Sequence, residues 1–291
     1  MNFLKALFGS KEESPEEKKK AEETKNFNVL KYDGVRAMRS NQTEYAIKCF
    51  THALQMQDDL EINDYLSQAY IRLGDMTSAY EQLQKLADAQ PDNQQIFVRM
   101  AHVAFMQEDY AAMSDACEKA LGIKADSPEV MYLKAKALIG QDETAKAVEQ
   151  LTAAITLNAD YGDAYLLRGE TRLAEGAVQE ADDDAAWLLE RAPENEDVLM
   201  LKARIERLKG NASEAIAYYD KVTDVNPFHV NAYRERGELK LATGDEHGGQ
   251  ADIDQARELQ SGQDVDVTAD GIEAKIKQAY KNMDPYNVFS N

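Results

Sequence analysis

Cys49 and His52 stand three residues apart, a spacing that puts two metal ligands on one helical face. They are half a site, and no second pair of donors follows nearby. A buried structural thiol is the favoured reading of Cys49, and of Cys117 as well. Asp182, Asp183 and Asp184, with Glu180, make the densest carboxylate run. Consecutive helical residues point around the axis and cannot converge on one ion, so a solvated face is expected there. His52, His102, His229 and His247 are scattered. The sequence holds no glycine-rich phosphate loop, HExxH, nucleophile elbow or EF-hand loop. We therefore assign no catalytic residue, no metal and no cofactor, and the expectation is a protein that is not an enzyme.

The elements that must position these residues are helices. Residues 196–229 read as two helices and a tight turn: Leu199, Ala203, Ile205 and Leu208 give one apolar stripe, and Ala215, Ile216, Tyr219 and Val222 give another. Gly210 breaks the pattern between them and Pro227 ends it. Two helices cannot bury both faces alone, so copies are required. Stepping by 34 residues lands on Ser67, Ala101, Ala135, Gly169, Ala203 and Gly237; stepping back 33 from Ser67 reaches Gly34. A second series holds Ala46, Ala79, Ala147, Ala181 and Ala215, with Met113 and Gly249 as departures. Gly74, Gly176, Gly210 and Gly244 keep one register, as do Pro91, Pro193 and Pro227. Small residues at a fixed place let helix backbones approach closely.

This pattern resembles the tetratricopeptide repeat, a helix–turn–helix unit of 34 residues, over roughly 27–263. The bulky place is filled by Leu30, Phe97, Met131, Tyr165, Leu199 and Tyr233, and departs at Asn63. The resemblance implies an all-α, right-handed superhelical solenoid of about seven repeats, closed by a C-terminal capping helix. It also implies a concave groove lined by the first helix of each repeat. Placed on that pattern, Tyr65, Gln68, Arg72, Arg99, His102, Tyr132 and Lys136 line the groove of repeats two to four. Arg99, His102 and Lys136 form one cationic strip there, suited to an acidic segment or a C-terminal carboxylate. Leu166, Leu167, Leu173, Met200 and Leu201 give the groove of repeats five and six a more apolar character. Tyr32 and Tyr65 stand where chaperone-tail binders carry Asn, which argues against that clamp.

The charge and the ends complete the expectation. A formal net charge of −20 over 291 residues disfavours nucleic acid and anionic membrane as partners. Residues 1–26 read as an apolar segment and a charged linker or helix, 27–263 as the repeat array, and 264–291 as a capping helix over 268–283 with a tail. Phe3, Leu4, Leu7 and Phe8 share one helical face. That segment docks on the repeats, meets a partner or stays loose, with membrane contact through residues 3–8 the least favoured reading. Helix starts are expected at Ser14-Pro15 and Ser127-Pro128, and the second helix of the seventh repeat, with Gly248-Gly249, should be the least stable. The functional expectation is a cytoplasmic, non-enzymatic scaffold or adaptor holding a peptide or extended segment of a partner protein. Its rival is a regulatory repeat protein of an enzyme or complex, inhibited by its own terminal segments.

Overall fold

A computed structural model describes residues 14–264, with side chains as far as Ser261. The expected capping helix over 268–283 and the apolar residues 3–8 lie outside the described residues. Among those described there are fourteen helices and no strand. They fall into two compact blocks, one ending at Ala159 and one beginning at Asp160.

The first block holds four helix pairs: α1 (Pro15–Arg39) with α2 (Thr43–Met56), α3 (Leu60–Leu73) with α4 (Met76–Ala89), α5 (Gln94–Met106) with α6 (Tyr110–Ile123), and α7 (Pro128–Gly140) with α8 (Thr144–Leu157). The second holds three: α9 (Gly162–Ala174) with α10 (Val178–Arg191), α11 (Glu196–Leu208) with α12 (Ala212–Val225), and α13 (Val230–Ala242) with α14 (Glu246–Asp264).

Each pair turns the same way. A residue one or two places past the first helix takes positive φ, at Gly74, Gly176, Gly210 and Gly244 as expected, but also at Asn41, Glu108 and Asp142. These seven positions are one repeat place. In every turn the amide of the residue after that position donates back into the last turn of the helix, as Asp75 does to Tyr70 and Asp109 to Ala104, both at 2.9 Å. The turn is thus fixed by backbone closure, and three repeats meet it without glycine.

Ser14 caps α1, its hydroxyl accepting from the Glu17 amide while Glu17 reaches back to the Ser14 amide, with Pro15 at the first helical position. The charged stretch before the array is therefore the first half of α1. Residues 14–26 are exposed and Phe27 is the first buried side chain, so the boundary at 27 marks the start of burial inside one helix. Ser127 departs from expectation: it precedes α7, but its side chain makes no capping hydrogen bond.

The small-residue series is the core. Ser67, Ala101, Ala135 and Ala203 are fully buried. A Cβ built on Gly34 would meet the Phe50 ring at 2.5 Å, so glycine is required at that crossing. Asn63, the polar departure at a bulky place, is buried and donates to the Gln82 carboxamide of α4 at 2.9 Å. One satisfied hydrogen bond replaces an apolar contact there. Despite its glycines, α14 is continuous over 19 residues.

Candidate functional site

The seven groove residues all lie in the first block, on α3, α5 and α7, and all are half-buried. They fall into two clusters and one outlier. In the first cluster Arg99 of α5 pairs with Asp64 of α3 and donates to the Ser67 hydroxyl. Gln68 donates to the same Asp64 at 2.9 Å. Tyr65 donates to Glu61 at 2.8 Å and stacks on Phe50, with centroids 5.4 Å apart. In the second cluster the Lys136 ammonium of α7 sits 3.8 Å from the centroid of Phe105 and 5.9 Å from that of Tyr132. His102 is close enough to feel the Lys136 charge. Arg72 is the outlier, donating at 2.8 Å to the Met38 carbonyl of α1.

These contacts alter the expected cationic strip. Asp64 neutralises Arg99. Burial, then the neighbouring Lys136 charge, pushes His102 down to about 4, so its imidazole is neutral at pH 7. Lys136 alone keeps a charge without a carboxylate at ion-pair distance among the described residues. Burial also lowers its pKa, the mark of a cation short of water and counter-ion. Sequence reasoning missed Phe105, although it lies three residues from His102 on one helical face. It missed Asp64 too, which is four residues before Gln68.

The second block corrects two further expectations. Asp184 does not face solvent. It is 2% exposed and held by two Arg168 bonds of 3.0 and 2.6 Å, with Arg172 adding a third at 2.7 Å. Asp182 pairs with Lys202 and Lys209. Glu180 and Asp183 of the run are exposed and Asp182 and Asp184 are not, because residues 100° apart on a helix meet different neighbours. The construction recurs 68 residues on, where Arg236 and Lys240 hold Asp252 at 2.8, 2.6 and 2.9 Å. That recurrence at twice the repeat was the available signal. Met200 and Leu201 are core residues at 3% and 1% exposure, so they offer no apolar groove surface. Arg204, 68 residues beyond Lys136, is bound through Nε and Nη2, one edge of its guanidinium, to Glu235, which also accepts from Tyr219 at 2.8 Å.

Cys49 and Cys117 are free and buried, and burial pushes the Cys117 thiol up to about 12. His52 is exposed beside buried Cys49. Among the described residues no three His, Cys, Asp or Glu side chains are grouped to hold a metal. No described helix is long and apolar enough to cross a membrane.

Tetratricopeptide repeat models match residues 65–93, 132–186 and 180–228. The chain is a tetratricopeptide repeat protein. Its fold, an all-α repeat solenoid, is shared with a tetratricopeptide repeat protein from Parabacteroides merdae: TM-score 0.67 at 14% identity, covering 89% of this chain and 100% of that one. A second similar structure is YrrB, described as a tetratricopeptide repeat protein with an unusual peptide-binding site. It aligns with TM-score 0.51 at 15% identity over 68% of this chain and 99% of its own. Among curated proteins the chain is 27% identical to DnaJ homolog subfamily C member 3 of Homo sapiens over 145 residues, 45% of this chain. It spans 29% of that protein's length, and the same share of the Mus musculus counterpart, at 26% identity. Tetratricopeptide repeats are in general scaffolds for protein–protein interaction.

Proposed function

We propose that this protein is a non-enzymatic scaffold or adaptor, cytoplasmic in location, whose first block takes an extended, carboxylate-bearing segment of a partner protein along α3, α5 and α7. The observation that carries this reading is Lys136. An ammonium partly withdrawn from water is destabilised unless paired, and a pair of aromatic faces compensates only in part. A partner carboxylate would restore the missing charge. Such charge-assisted bonds contribute roughly 1.5–3 kcal/mol where water is partly excluded. Phe105 and Tyr132 would supply apolar contact on either side of the ammonium. The second block is less suited, because Arg204 already has its carboxylate in Glu235. YrrB's described peptide-binding site supports the reading by analogy of fold alone.

The test uses short acidic peptides made with a free C-terminal carboxylate or an amide, and any partner captured by the intact chain. Lys136→Met should weaken binding at least tenfold, about 1.4 kcal/mol or more, with an unchanged circular-dichroism spectrum. Residual binding should also lose salt dependence. Full affinity in Lys136→Met removes the reading.

A further inference from the structure

The first helix pair carries an end face that every later pair keeps covered. The place of Val29 in α1 is held in the other six first helices by Ile62, Ile96, Val130, Ala164, Val198 and Ala232. Those six are between 0% and 5% exposed, and Val29 is 49% exposed. The place of Tyr32 is the one through which later helices reach back to the pair before them. Tyr65 uses it to stack on Phe50, Arg99 to grip Asp64 and Ser67, and Glu235 to bind Arg204. No pair precedes α1 among the described residues, and Tyr32 is 71% exposed. These two side chains stand where later pairs make an interface between repeats, and among the described residues no repeat covers them.

The rest of the face is polar. Arg36 stands where Ala69, Val103 and Ala137 are buried, and it donates to Asp33 at 2.7 Å. The apolar strip is therefore only two side chains wide. That is too narrow for a second copy, since stable interfaces bury about 800 Å² on each partner. It fits a turn or two of helix.

We propose that the segment bearing Phe3, Leu4, Leu7 and Phe8 lies across Val29 and Tyr32, in the place of a preceding helix pair. The chain reaches. Along α1, Val29 is about 21 Å and Tyr32 about 26 Å from Pro15 at 1.5 Å per residue. Residues 9–14 extended span about 20 Å, and a helical 3–8 adds about 8 Å. Residues 15–26 hold no large apolar side chain, so Val29 is the first exposed apolar contact that a segment folding back would meet. An array ended this way presents no open repeat surface to another copy.

The full chain tests this with Leu4→Glu/Leu7→Glu, with Val29→Glu, and with all three together. Hydrogen exchange over residues 27–39 is the readout. Both variants should speed exchange by at least tenfold and equally, and the triple variant no further, because one contact is removed in each case. Unchanged exchange in Leu4→Glu/Leu7→Glu overturns the proposal; that variant leaves the repeats intact, so misfolding cannot explain it. A fall in molar mass by sedimentation with Val29→Glu alone would give the face to a second copy. Loss of binding to phosphatidylcholine–phosphatidylglycerol vesicles, with exchange unaltered, would give the segment to a membrane.

Discussion

Gly237 and Gly249 meet backbone to backbone. A Cβ on Gly237 would lie 2.9 Å from the Gly249 carbonyl oxygen, and one on Gly249 would lie 2.8 Å from that of Gly237. Alanine is usual at the Gly249 place, so the departure there goes in the direction of closer approach. Gly249, one of the two glycines that made α14 look weak in the sequence, is what allows α13 and α14 to pack this closely.

Gly237→Ala should therefore destabilise the protein by about 1–3 kcal/mol, since the clash is with backbone and cannot relax by a rotamer change. This outweighs the gain of about 1 kcal/mol that alanine brings to a helix interior. Gly122→Ala in α6, where nothing lies within 4 Å of the added carbon, is the control and should be neutral or stabilising. Urea unfolding of both variants decides it. Equal stabilities would remove the close-approach account.

Glu108 sits in the left-handed region at φ 56°, where four repeats use glycine. A β-carbon costs roughly 1–2 kcal/mol there, offset in part by the looser unfolded chain of a glycine variant. Glu108→Gly should stabilise the protein by about 0.5–1 kcal/mol. Asn41→Gly should gain less, because asparagine tolerates this conformation. A lower urea midpoint for Glu108→Gly would contradict the turn assignment.

Asp184 ties α9 to α10 through Arg168 and Arg172. Asp184→Asn leaves buried guanidinium without its counter-charge and should cost about 3–5 kcal/mol. Asp252→Asn should cost a similar amount. Burial raises the Asp252 pKa, but hydrogen bonds from Arg236 and Lys240 outweigh it and hold the carboxyl below its usual range. Its contribution is present above the unfolded value of 3.8 and is lost as pH falls through the lower folded value. Thermal melts that match the parent for both variants would make these pairs ornamental.

His102 gives the opposite chemistry in a higher window. Its folded pKa of about 4 lies below the unfolded 6.5, so the unfolded chain binds the extra proton between them. Stability should fall as pH drops from 6.5 toward 4, by at most on the order of 3 kcal/mol. His102→Gln should flatten that slope and leave stability at pH 8 close to the parent. Parallel pH profiles for the two proteins would rule it out.

The sequence by itself determined the helix pairs, the 34-residue step, the small residues at the crossings and the glycine turns. All of these depend on residues close in the chain or on one repeated backbone geometry, so periodicity exposes them. Only the tertiary structure decided which charges are free. Arg99 finds Asp64 35 residues away, Asp184 finds Arg168 16 residues away, and Lys136 finds two rings and, among the described residues, no carboxylate at ion-pair distance. Pairing across helices depends on which side chains reach one another and how much water is excluded between them. Residue type and helical phase do not encode that. The same holds for Asn41, Glu108 and Asp142, where closure of the turn imposes positive φ whatever the residue.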